Sequence, residues 1–181
     1  MITLLDPAGY RRTPWKNGGG VTIDIAEHED AWRFGRTPIT TPGPFSDYSG
    51  FDRVQVLVSG RGLVLQTPDG EIDVRTPFKP VAFAGETPIV SRLEAGAVEV
   101  VNLIGNRATV RVDLQVLHAG AALGRSAGTH LAYAAAGPAV LQVDGKPHPL
   151  AADHTLRVDA ASPTMIACTE GVVLVGSILC V

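Results

Sequence analysis

The chain has 181 residues, a formal net charge of −3, 45% apolar residues and only 18% charged ones. That length excludes a large multidomain enzyme, and the composition excludes a disordered chain. The 12 arginines and 3 lysines are scattered too singly to form the basic stripe that a nucleic-acid partner requires.

Glycine and proline number 20 and 13, which predicts many turns, short elements and little helix. The opening Met1 to Pro7 has no cationic segment and does not read as a signal peptide. The longest apolar stretch, Gly171 to Val181, is shorter than the ~20 residues a membrane-spanning helix needs. A cytoplasmic protein without a membrane partner is therefore expected. Cys168 and Cys180 cannot make a disulfide framework, and their apolar surroundings predict buried thiols.

Strand signals then follow in chain order: Val21 to Ile25, Ala31 to Phe34, Val54 to Val58, Gly62 to Gln66, Pro80 to Phe83, Ile89 to Val90 and Val98 to Leu103. The second half continues with Thr109 to Val116, Leu131 to Ala134, Ala139 to Val143, Thr155 to Val158, Met165 to Cys168 and Val172 to Ile178. Each is short, rich in β-branched or aromatic residues, and bounded by turn formers. No segment keeps a helical apolar period, and the Ala-rich stretch from Ala119 to Ala136 is interrupted by Gly120, Gly124 and Gly128, leaving at most one turn of helix.

The two halves share an order of signals. Gly60 and Gly137 each lead into an apolar strand, which ends at Asp69-Gly70 or Asp144-Gly145. From each of those glycines, Pro88 or Pro163 follows 18 residues later. An Asp-Gly pair marks a tight hairpin because both central residues of such a turn need positive φ. Strand, glycine turn, strand, Asp-Gly hairpin, strand is an order similar to that of the cupin barrel, here present twice.

Three clusters carry candidate chemistry. In Pro14-Trp15-Lys16-Asn17-Gly18-Gly19-Gly20 a cation and an amide precede three glycines, which suits either a small anion site or a flexible β-bulge with a solvated lysine. Asp52-Arg53, at the mouth of a strand, reads equally as a structural ion pair or as a guanidinium fork for a carboxylate. Asn102 interrupts an apolar strand, so its amide either ties the barrel together or faces a polar cavity. Phe78 and Phe83 read as core or as a pocket wall. Phosphate loops and dinucleotide fingerprints are absent. The five histidines, His28, His118, His130, His148 and His154, include no His-x-His, so no metal site or cofactor is expected.

Pro14 to Gly20 with Thr22, Trp32-Arg33, Gly43-Pro44-Phe45-Ser46, Gly50-x-Asp52-Arg53, Gly60-x-Gly62, Pro77-Phe78, Phe83-x-Gly85 and Asn102 together closely resemble the HutD/Ves family of bacterial cupin-like proteins. The resemblance is specific over roughly residues 10 to 104. It implies an all-β bicupin of two RmlC-like, mainly antiparallel barrels, the first over residues 1–108 and a degenerate second over 109–181. It also implies independence of metal, and a link to histidine utilisation through sensing of a small carboxylate such as a formylated glutamate. The pocket it implies draws on Lys16, Asn17, Thr22, Arg33, Ser46, Arg53 and Asn102, with no catalytic residue. The expected partners are a small anionic metabolite and, at most, a second copy of the chain in a homodimer.

Two departures stand out: Gly35 follows Trp32-Arg33-Phe34 where relatives carry a hydroxyl, and Val100 stands where relatives carry an aspartate. The competing reading is a metal-free isomerase, epimerase or hydrolase acting on a sugar or acyl amino acid. It needs a general base, for which Tyr48, Asp52 and Glu99 are the candidates.

Overall fold

A computed structural model describes residues 1–15 and 19–181 of the chain. Apart from one 3-10 turn at Pro7–Gly9, every regular element described is a strand. In order these are β1 (Ile2–Leu5), β2 (Arg11–Pro14), β3 (Val21–His28), β4 (Trp32–Ile39), β5 (Gly43–Pro44), β6 (Phe51–Ser59), β7 (Leu63–Thr67), β8 (Gly70–Val74), β9 (Val81–Ala84), β10 (Val90–Leu93) and β11 (Val98–Asn106). The second run comprises β12 (Val110–His118), β13 (Ala122–Arg125), β14 (Gly128–Tyr133), β15 (Ala139–Val143), β16 (Lys146–Leu150), β17 (Thr155–Ala160), β18 (Thr164–Glu170) and β19 (Val172–Cys180).

Backbone contacts divide the chain into two units, Tyr10–Val112 and Met1–Gly9 with Asp113–Val181. The division expected at 108/109 differs from this chiefly in the first nine residues, because β1 pairs antiparallel with β17, Ile2 opposite Val158 and Leu4 opposite Leu156.

In the first unit a six-stranded sheet runs β2-β3-β4-β11-β6-β9 and a four-stranded sheet β5-β10-β7-β8. In the second, the sheets run β1-β17-β14-β19-β12 and β13-β18-β15-β16. With β1, β2 and β3 set aside, adding eight to each strand number of the first unit reproduces the second. The duplication read from the glycine turns is thus a repeat of eight strands, the arrangement expected of two cupin-like halves. Both Asp-Gly hairpins form, with Gly70 and Gly145 at φ +132° and +80°.

Each unit closes its own core from both of its sheets. In the first, Ile39, Leu57, Val98 and Val100 meet Leu63, Leu65 and Val74. In the second, Leu117, Ala132, Leu156, Val158 and Val175 meet Leu141, Leu150 and Ile166. The stretch from Ala119 to Ala136 makes strands β13 and β14 rather than a turn of helix, because its alternating residues Leu131 and Tyr133 on one side and His130 and Ala132 on the other are all buried. Cys168 is buried as expected, and burial pushes its thiol pKa up. Cys180 is exposed, since it closes the last strand at the end of the chain.

Candidate functional site

The period of two along β4, β6 and β11 builds a cup from apolar floor to polar mouth. Val100 lies opposite Thr37 and Leu57, Asn102 opposite Gly35 and Gln55, and Ile104 opposite Arg33 and Arg53. Cross-strand partners share a face, so the core residues Leu57 and Val100 fix Gln55, Arg53, Asn102, Gly35 and Arg33 on the interior side above them. A cavity of about 70 Å³ opens there, lined by Trp15, Thr22, Arg33, Gly35, Thr37, Ile39, Pro44, Phe45, Ser46, Tyr48, Arg53, Val100, Asn102 and Ile104. Where one water needs roughly 10–15 Å³, this is room for a small metabolite.

Thr22, Arg33, Arg53 and Asn102, from four separate strands, and Ser46, from the loop after β5, therefore come together on one lining. Lys16 and Asn17 lie outside the described residues. Both departures, Gly35 and Val100, fall on the same lining. Gly35 is a close-approach position: a Cβ there would meet the Ile23 carbonyl oxygen at 2.9 Å and Thr22 Cγ2 at 3.1 Å, so glycine lets β3 lie down over β4.

Arg53 dominates the electrostatics. It is only 6% exposed, and burial pulls its guanidinium pKa down to about 10, against a smaller upward pull from Tyr48. It stays charged at neutral pH. Its Nη2 donates to Asn102 Oδ1 at 3.3 Å, while Nε has no hydrogen-bond partner among the described residues. The rings of Phe45, Tyr48 and Phe83 lie 5.1, 5.4 and 5.1 Å from its central carbon. They cover the faces of the fork and leave its donor edge. No carboxylate among the described residues lies within ion-pair distance of it. Phe83 is thus a wall for the cation, whereas Phe78, held at φ +58° with its N–H donating to Leu57 O, does not line the cavity.

The alternation also resolves Asp52-Arg53. The two side chains lie on opposite faces of β6, and Asp52 pairs with Arg107 at 3.0 Å. Arg107 also grips Glu86 and donates to Phe51 O at 2.8 Å, clamping the base of the segment that carries Phe45, Ser46 and Tyr48.

Arg33 differs from Arg53. A one-residue shift in β3 between Asp24 and Ala26 turns Asp24 and Glu27 to the same side, and Arg33 Nε sits 3.6 and 3.4 Å from their carboxylates. Arg11 reaches both acids as well, and Thr13 donates to Asp24. Two acids and two arginines thus balance, so Arg33 lines the cavity with its charge already matched.

Of the lining residues that escape a reading for binding from sequence, Trp15, Thr37, Phe45 and Tyr48 bring a ring or a hydroxyl, the last of them appearing there only as a candidate base. Trp15 Nε1 donates to Thr22 Oγ1 at 3.0 Å, and the Thr22 and Thr37 hydroxyls meet at 3.1 Å. The indole needs Gly20 beneath it, where a Cβ would sit 3.0 Å from the ring. Among the described residues no His, Asp or Glu lines the cavity. Nor does any group of three His, Cys, Asp or Glu stand ready to hold a metal ion.

An antiparallel β chain of two repeated halves, one of them holding a cationic cup, is a cupin-like protein. A cupin 2 barrel protein from Leptotrichia buccalis shares this fold at a TM-score of 0.54 and 10% identity, over 88% of both chains. The chain belongs to the HutD family, whose profile matches residues 7–175. It is 31% identical over 152 residues to an uncharacterized 21.2 kDa protein in the hutC 3′ region of Pseudomonas putida, covering 81% of this chain and 80% of that one. It superposes on HutD from Pseudomonas fluorescens SBW25 with a TM-score of 0.85 and 26% identity over the whole of both chains.

Proposed function

We propose that the chain binds a small carboxylate in the cup of its first unit and serves histidine utilisation as a sensor or modulator rather than as a catalyst. The observation that carries this reading is Arg53: a buried guanidinium with no acid partner among the described residues, its faces covered by rings and its donor edge left for a planar anion. Lys16 would add charge, and Asn17, Thr22, Ser46 and Asn102 hydrogen bonds. A charge-assisted contact in a dry site contributes on the order of 1.5–3 kcal/mol, so two or three suffice for micromolar binding.

Of the candidate bases for an enzyme, Asp52 pairs with Arg107 and Glu99 with Arg36, and neither lines the cavity; Tyr48 does line it, but its ring lies against the Arg53 guanidinium and no His, Asp or Glu joins it on the lining among the described residues. Binding alone is therefore the better supported role. Family membership, the relative from the hutC 3′ region of Pseudomonas putida and the HutD structure from Pseudomonas fluorescens support that setting. Thermal-shift screening against the carboxylate intermediates of histidine degradation, followed by calorimetry on the Lys16→Ala, Arg53→Ala double variant, tests the proposal. Undiminished binding of the best carboxylate by that variant would overturn it.

A further inference from the structure

The polar groups of the cup can be counted hydrogen by hydrogen, and the count says what the ligand carries beside its carboxylate. Arginine only donates, so the contact between Arg53 Nη2 and Asn102 requires Asn102 to present Oδ1 to the guanidinium. The Asn102 NH2 group is then left to donate elsewhere, and no hydrogen bond engages it among the described residues. An indole N–H also only donates, so Thr22 Oγ1 must accept from Trp15. Of the two hydroxyl hydrogens on Thr22 and Thr37, one is used in the bond between them and one remains. No acceptor among the described residues takes it, and both threonines line the cavity.

The cup therefore offers ligand-directed hydrogens from Arg53, Asn102 and the threonine pair, while among the described residues its side-chain acceptors, the hydroxyls and the Asn102 Oδ1 already turned to Arg53, carry no charge. An ammonium group would meet the unbalanced Arg53 charge and find no anion to pair with, since Asp24 and Glu27 are held by Arg11 and Arg33. A neutral carbonyl oxygen meets donors instead.

We propose that the cup selects carboxylates bearing a carbonyl oxygen as a second acceptor, and rejects the matching free amino acids, with Trp15, Thr22 and Thr37 forming the donor chain that reads this oxygen. The inference rests on the carboxylate reading above. Sites built to hydrogen-bond a substrate group discriminate against analogues that cannot supply it far more strongly than apolar pockets discriminate a methylene. A preference on the order of a hundredfold or more is expected.

Calorimetry with pyruvate, propionate and L-alanine tests it, because the three share one carbon skeleton and differ in the group beside the carboxylate. The expected order is pyruvate, then propionate, then alanine, with Thr37→Val weakening pyruvate about tenfold, leaving propionate within twofold, and Thr37→Ser restoring pyruvate binding. Thr22→Val is the second probe of the same chain if Thr37→Val does not fold. Alanine binding within threefold of pyruvate, or equal losses for pyruvate and propionate in the threonine variants, would overturn the inference while the carboxylate reading stands. No binding of any of the three would overturn both.

Discussion

Replacing Arg53 with methionine sets stability against binding. The guanidinium stands at about 10, well under its ordinary value, because it is buried. At ~1.4 kcal/mol for each tenfold, that corresponds to about 3 kcal/mol held against the charged side chain in the folded state at neutral pH. Methionine keeps much of the volume and carries no charge, so this penalty disappears. Against it stand the ring contacts of Phe45, Tyr48 and Phe83, together about 1–2 kcal/mol. Asn102 Oδ1, which loses its donor, costs about 1 kcal/mol more. The terms nearly cancel, and Arg53→Met is expected to unfold within about 1 kcal/mol of the parent protein. A buried arginine paired with an acid would lose about 3–5 kcal/mol on the same change.

The parent protein with a cognate carboxylate at a hundred times its Kd gains about 2.7 kcal/mol, a rise in Tm of about 5–10 °C for a chain of this size. The variant should show none of it. Calorimetric melting with and without carboxylate reads both quantities at once. A loss of 3 kcal/mol or more without ligand would make Arg53 a structural ion, and a retained ligand shift would place binding elsewhere.

Three further outcomes follow from particular contacts. Gly35→Ala puts a Cβ 2.9 Å from the Ile23 carbonyl oxygen and 3.1 Å from Thr22 Cγ2, so chemical denaturation should show a loss of about 1–3 kcal/mol, with weaker carboxylate binding as β3 lifts. His130 is fully buried; desolvation lowers its pKa, the nearby Arg125 charge lowers it further, and the Ser126 carbonyl and Asp159 oppose the fall. Its neutral form is the folded one, so stability is complete above about pH 6.5, declines as pH falls toward the folded-state value and then levels off. Urea midpoints from pH 8 to 5 should trace that decline, and His130→Gln should flatten it. Arg107→Ala frees Glu86, which hydrogen bonds from Arg107 above all hold down to about 2, and unpins Phe51 O. Carboxylate affinity should fall about three- to tenfold by calorimetry although no cavity residue has changed, and an unaltered Kd would show that the clamp does not position the lip.

The fold was legible because glycine turns and apolar alternation are local signals. Gly60 and Gly62 stand at φ +79° and +81°, and Val54 to Val58 reads as a strand without help from its neighbours. β1 was not assigned, and its placement beside β17 in the second unit depends on partners 150 or more residues away. The site was half legible. Arg53 and Asn102 could be singled out as polar residues in apolar strands, but nothing local says that Asp52 turns outward to Arg107 while Arg53 turns inward without an acid. Arg33 shows the converse: its charge looked available until the shift in β3 brought Asp24 and Glu27 beside it. Thr37 was silent because a threonine in a strand is ordinary, and only the register opposite Val100 puts it in the cup.

The repeat sets the half proposed to receive a ligand beside a half whose matching position is self-sufficient. Gln55 and His130 lie 75 residues apart in the chain on equivalent strands, as do Asn102 and Ser177, and each first residue faces its second across the sheet. In the second unit the pair closes on itself. The Ser126 carbonyl can only accept, so His130 Nε2 carries the hydrogen and donates to it at 3.0 Å, and Nδ1 then accepts from Ser177 Oγ at 2.9 Å. Gly128 occupies the place matching Arg53, and a Cβ there would sit 2.6 Å from Ile178 O, so no long cation can replace it. In the first unit Asn102 is turned to a cation, and both amide atoms of the fully buried Gln55 lack a partner among the described residues. Unsatisfied buried amides are costly. A half whose polar layer is incomplete among the described residues is the half in which an added acceptor gains most, and the closed His130–Ser177 layer supplies the internal control. Installing the pair as Gln55→His with Asn102→Ser should abolish carboxylate binding while leaving the fold intact.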